Sequence, residues 1–150
     1  FTGAFGSYET DDIKGLTYRY SGVPTLGYKI WDNAGKLLNI QLGYGWEEEK
    51  TEDENGVKNS DGGGIALSVI KFNYDWGAPD LSLYAKNTTT KAQYGRDNLV
   101  NQLDAGIKYE ITDLLYFNLE ANYDYETEPV DGADKEDLSM LIGFGVEFDK

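Results

Sequence analysis

The sequence predicts an all-β fold: an antiparallel up-and-down transmembrane β-barrel of about eight strands in this chain, one domain over residues 1–150, or part of a larger even-stranded barrel. Three observations lead there. Apolar and polar residues alternate through segment after segment, long and short connections alternate between those segments, and aromatic residues gather toward both ends of the segments. A period of two puts successive side chains on opposite faces of a strand, so each segment reads as two-faced.

In chain order the strands read 1–9, 15–31, 36–47, 63–76, 80–90, 98–111, 114–126 and 137–148. The seventh is the clearest. In "LLYFNLEANYDYETEP", Leu115, Phe117, Leu119, Ala121, Tyr123 and Tyr125 share one side, and Tyr116, Asn118, Glu120, Asn122, Asp124 and Glu126 share the other. Its 11 residues from Leu115 to Tyr125 match the roughly 9–11 tilted residues that cross a bilayer. The segment 15–31 contains Pro24, whose missing amide predicts a bulge near "SGVPT". Trp31 falls on the polar parity of that strand, and its place beside "DNAG" would let it bend away.

Between the strands, "DNAG", "GAP" and "TD" are short, whereas "EEEKTEDENGVKNSDGG" and "TEPVDGADKE" are long, and the remaining connections fit the same alternation. Outer-membrane barrels have short periplasmic turns and longer extracellular loops. Trp76, Tyr109, Phe117 and Phe148 fall near the short-turn ends, and Tyr44, Trp46, Tyr123 and Tyr125 near the long-loop ends. Two aromatic belts around an aliphatic band suit the two interfaces of a membrane. On this reading Leu38, Ile40, Leu42, Leu115, Phe117, Leu119, Met140, Ile142 and Phe144 face lipid.

The opposite parity collects Arg19, Lys29, Lys71, Lys86 and Lys108 with Asp75, Asp104, Glu110 and Glu120, among Asn39, Gln41, Asn73, Gln102, Asn118, Asn122 and several glycines. On a soluble protein these would form the solvated surface. In an eight-stranded barrel, whose interior side chains just fill, they would line the lumen and plug it with salt bridges. The acids elsewhere concentrate in "EEEKTEDENGVKNSD" and "DYETEPVDGADKED", which carry most of the formal net charge of −14. Solvated loops explain these runs. Divalent cations, alone or bridging lipopolysaccharide phosphates, are the sharper alternative, but the loop with Asp53, Asn55 and Gly56 has Thr51 and Gly62 where a calcium loop needs its first and twelfth ligands.

Composition excludes several classes. No run approaches the roughly 18 apolar residues of a membrane helix. The charge opposes nucleic-acid binding, which requires surplus Lys and Arg. With no Cys and no His there are no disulfides, no thiolate or imidazole metal sites and none of the usual nucleophile–base pairs. Neither a cofactor nor catalysis is expected. Phe1 opens inside an alternating segment without Met or a leader, so the chain reads as part of a longer one lacking its N-terminal residues.

Two stretches, "YETDDIKGLTYRYSGVPTLGYKIWD" and "YEITDLLYFNLEANYDYETEPVDGADKEDLSMLIGFGVEF", resemble the salt-induced outer-membrane protein family, the YdiY-like domain of unknown function. The likeness lies in "YRY", the spacing in "TLGYKI", the "ITDLL" turn and the acidic, Pro-containing loop before the last strand, and it covers essentially the whole chain. It implies the outer membrane of a Gram-negative cell, and no agreed activity or catalytic residues. Asp149 and Lys150 depart from the terminal aromatic on which such barrels often finish. The expected function is a non-enzymatic outer-membrane barrel, structural, stress-related or a narrow channel, with outer-membrane lipid and lipopolysaccharide around it. A soluble lipocalin-like barrel binding an apolar ligand, which inverts the two faces, is the alternative. An accessory role in an envelope assembly is a further possibility, and no patch in the sequence identifies a partner.

Overall fold

A computed structural model describes residues 1–11, 16–52, 58–77, 80–93, 98–112, 114–128 and 134–146. Eight strands account for most of them: β1 (Thr2–Asp11), β2 (Leu16–Asn33), β3 (Lys36–Glu52), β4 (Lys58–Asp75), β5 (Leu81–Ala92), β6 (Leu99–Glu110), β7 (Leu115–Glu126) and β8 (Glu136–Val146). They form one sheet in the order β1-β2-β3-β4-β5-β6-β7-β8, every neighbouring pair antiparallel. Nearest-neighbour hairpins are the cheapest way to pair strands, because each closes only a short loop.

The expected closure is not found. Among the described residues no ladder joins β1 to β8, and the sheet is open. Alternation and turn chemistry dictate each hairpin locally, whereas closure depends on coiling and stagger accumulated over all the strands.

Curvature is nevertheless strong around β3. Val23 of β2 clusters with Ile65, Leu67 and Val69 of β4, and all four are buried. Strands β2 and β4 approach each other over β3 because β3 presents glycines on this face. A Cβ on Gly45 would lie 2.0 Å from the Gly22 carbonyl oxygen and 2.7 Å from Val23 Cα, and one on Gly43 would lie 2.7 Å from the Pro24 carbonyl oxygen. The face that carries Val23, Ile65, Leu67 and Val69 is therefore the concave one.

The bulge expected at Pro24 lies elsewhere. The β1–β2 register runs unbroken through Ala4↔Pro24, and the β2–β3 register is the same at Gly22↔Trp46 and Thr25↔Gly43. Only the bridges of Val23 and Pro24 to β3 are missing, as expected for a residue with no amide to donate. The register shifts instead between Lys29 and Trp31. That extra residue brings Trp31 opposite Leu38, moving the ring off the charged face.

The ends also differ from expectation. Strands β3 and β4 continue as a paired ribbon through Glu47↔Gly63 and Glu49↔Asp61 to Glu52↔Lys58, so much of the expected acidic loop is strand. Donors from β2, one of them charged, meet two of these acids. Arg19 Nε donates to Glu49 Oε2 at 2.8 Å, and the Tyr20 hydroxyl donates to Glu48 Oε2 at 2.6 Å. At the opposite end the two-residue connection 34–35 has Gly35 at φ +75°, and its carbonyl accepts the Asp75 amide at 2.6 Å, tying two turns together. With the strands extended, the intervals 34–35, 76–80 and 111–114 at this end contrast less with 12–15, 53–57, 93–98 and 127–135 at the other.

Candidate functional site

The cross-strand register assigns each functional residue to a face. Arg19, Lys29, Lys71, Asp75, Lys86, Asp104, Lys108, Glu110 and Glu120 lie on the concave face. Leu38, Ile40, Leu42, Leu115, Phe117, Leu119, Met140, Ile142 and Phe144 lie on the convex face with Trp46, Tyr109, Tyr123 and Tyr125. Trp76 joins them by packing edge-on against Tyr74 at 4.4 Å, and Phe117 meets Phe144 at 5.5 Å between ring centroids. Phe148 lies outside the described residues, as does the segment 53–57 with its acids. Among the described residues no group of acids is placed to hold a metal ion.

Ion pairs among the described residues lie toward the ends of the charged face: Arg19 with Glu49 toward the acidic ribbon, and Lys29 with Asp32 (2.6 Å) and Lys108 with Glu110 (3.2 Å) toward the short turns. The Tyr20 hydroxyl, level with the acidic ribbon and beyond Trp46, has its pKa raised, first by its hydrogen bond to Glu48, then by burial and the Glu48 charge.

Near the short-turn end the concave face holds a cavity of about 1130 Å³, lined by Asp75, Tyr84, Lys108, Tyr116, Asn118 and Glu120 among others. Two tyrosines shape it. Tyr84 lies across Gly106 and Tyr116 across Gly145, each ring occupying the place a Cβ would need, and the Lys108 ammonium sits 4.7 Å from the Tyr116 ring centroid. Asn118 Nδ2 donates to Glu120 Oε1 at 2.6 Å. The lining offers donors, acceptors and aromatic edges to a polar solute. The sequence reading puts Tyr116 on the polar side of its strand with Asn118 and Glu120 but assigns Tyr84 no place, although the spacing in "LSLYAK" puts it on the parity of Lys86.

Two more groupings escaped the sequence reading. The buried aliphatic cluster of Val23, Ile65, Leu67 and Val69 shares the concave face with Lys71 and Asp75, so β4 changes character along its length rather than between its faces. The convex face, conversely, carries a polar ring. Asn87 Nδ2 donates to Asn101 Oδ1 at 3.1 Å, Asn101 Nδ2 to Thr89 Oγ1 at 2.7 Å, and Thr89 Oγ1 to Asn87 Oδ1 at 3.2 Å. Asn101→Ala is expected to cost about 1–3 kcal/mol in chemical unfolding if this ring faces an apolar medium, because its partners lose their bonds with no water to replace them. A cost near zero would place the ring in water.

Alternating strands, an apolar convex face and a polar concave face define an architecture without naming a lineage. Residues 1–148 match the family model described as "Protein of unknown function, DUF481". The chain belongs to that family. DUF481 membership spans all eight strands and supports the likeness noted in the sequence, and it brings no assigned activity with it. No curated protein and no solved structure matches the chain.

Proposed function

We propose that this DUF481 chain is a non-enzymatic outer-membrane β-barrel protein, structural or stress-related or a narrow channel, whose convex face meets lipid. One observation carries the reading: the convex face exposes a run of large apolar side chains, with Leu42 60%, Ile142 67%, Phe144 72% and Tyr28 74% accessible. Water-soluble monomers rarely leave contiguous apolar patches of more than a few hundred Å² uncovered. Hydrocarbon is the solvent that suits this surface, and the aromatic side chains toward its two margins suit the interfaces. The ion pairs and the cavity on the concave face fit a water-accessible interior. The absence of His and Cys from the chain leaves no ordinary nucleophile–base pair.

In hydrocarbon an unpaired sheet edge does not survive, so β1 and β8 must pair there with each other or with further strands. Outer-membrane lipid and lipopolysaccharide would surround the convex face, with divalent cations as partners for the acid-rich hairpin ends.

The deciding experiment is refolding of the purified chain with and without detergent micelles, followed by gel mobility with and without boiling. Folding only with micelles, with a heat-dependent mobility change, is expected. A monodisperse β-protein in plain buffer would overturn the membrane placement and turn attention to a soluble ligand-binding barrel.

A further inference from the structure

Across the middle of the concave face the register sets Asn39, Lys71, Lys86 and Asp104 side by side on β3, β4, β5 and β6. Lys71 and Lys86 are direct cross-strand partners, an arrangement in which like charges repel. The other cations of this face have acids within reach: Arg19 has Glu49, Lys29 has Asp32 and Lys108 has Glu110. Among the described residues Lys71 and Lys86 form neither an ion pair nor a hydrogen bond. Asp104, the one carboxylate in the row, stands opposite Lys86 in register without closing a salt bridge. Asp75 lies four residues along β4 from Lys71, toward the short turns, and Glu120 is engaged by Asn118.

Beside the lysines Asn39 is only 7% exposed, and its Oδ1 is buried with no hydrogen-bond partner among the described residues. An unpaired buried acceptor costs about 1–3 kcal/mol unless a donor arrives. Two neighbouring ammonium groups that close no salt bridge and one orphaned acceptor on a shared face suit a ligand with anionic oxygens and a hydroxyl. The geometry points to a binding site for hydrogen phosphate, formed by Lys71, Lys86 and Asn39. The two ammonium groups donate to the anionic oxygens, and the P–O–H of the monoprotonated anion donates to Asn39 Oδ1. The cavity at the short-turn end lies one same-face position beyond Lys71 and Lys86, at Asn73 and Tyr84, and is the route of entry.

This site goes beyond the membrane reading and depends only on the concave face. Its test is denaturant unfolding, at low ionic strength and in whichever solvent refolds the chain, with sodium phosphate, sulfate or chloride added at equal ionic strength. Phosphate is expected to stabilise the protein beyond chloride, and beyond sulfate, which has no proton to give Asn39 at neutral pH. Lys71→Met and Lys86→Met should each weaken phosphate binding about tenfold, the loss of one charge-assisted hydrogen bond, while matching or exceeding the parent's stability in chloride. Coincident curves in phosphate and chloride, a sulfate effect equal to that of phosphate, or an undiminished phosphate effect in both lysine variants would overturn the site. A chain that folds in plain buffer would overturn the membrane placement alone and leave this comparison intact.

Discussion

Leu42→Arg is expected to abolish folding into detergent micelles or lipid vesicles. Leu42 stands midway along β3 between Lys36 and Trp46, on the convex face, paired with Leu26 and Ser68. A guanidinium at the midplane of a membrane barrel costs about 2–4 kcal/mol, a large part of the stability of a small domain. In water the prediction reverses. A 60%-exposed leucine replaced by arginine changes a soluble protein by less than about 0.5 kcal/mol. Leu119→Arg, on the same face of β7 and paired with Ile142, should repeat the loss. Folding yield from urea into micelles, read by gel mobility, separates the two cases, and normal yields for both variants would remove the lipid-facing assignment.

A second large effect is expected from one methyl group. Gly45→Ala places a Cβ where the Gly22 carbonyl oxygen and Val23 Cα already stand, and neither is a flexible side chain that can swing aside. Strands β2 and β3 must part, disturbing the packing of Val23 against Ile65, Leu67 and Val69. Overpacking of this kind costs about 1–3 kcal/mol, and the upper end applies where backbone has to move. Gly22→Ala is the control. It lies on the adjoining strand, and a Cβ there meets nothing within 4 Å. Equilibrium unfolding of the pair should show Gly45→Ala strongly destabilised and Gly22→Ala close to the parent. Equal effects would mean that the approach of β2 to β3 does not hold the curvature.

The two glycines also mark the limit of what sequence reading reaches. Both occur in alternating strands and look alike along the chain, yet one faces the Val23 backbone and the other open space, a difference that depends on how sharply the sheet coils. Pro24 teaches the same lesson. Its lost amide is certain from the residue type, but whether the strand answers with a bulge or two missing bridges depends on what its neighbour can accommodate, and Gly43 and Gly45 let β3 come close enough to keep the register. Trp31 was the converse case. A large ring next to a turn on a polar parity is a local conflict visible in the sequence, and the register shift before it resolves that conflict.

The sequence by itself determined the eight antiparallel strands, their order and the division of residues between two faces. These follow from a side-chain period of two and short hairpins, both properties of residues near one another in the chain. Only the tertiary structure decided that no ladder joins β1 to β8 among the described residues, that the acidic segment after Trp46 continues as paired strand, and that Val23 meets Ile65, Leu67 and Val69 across β3. It also sorted the concave charges, giving Arg19, Lys29 and Lys108 their carboxylates while leaving Lys71 against Lys86. Parity names the face a charge occupies. Its partner there is set by register and coiling between strands far apart in the chain, because Coulomb energy depends on distances that alternation does not encode.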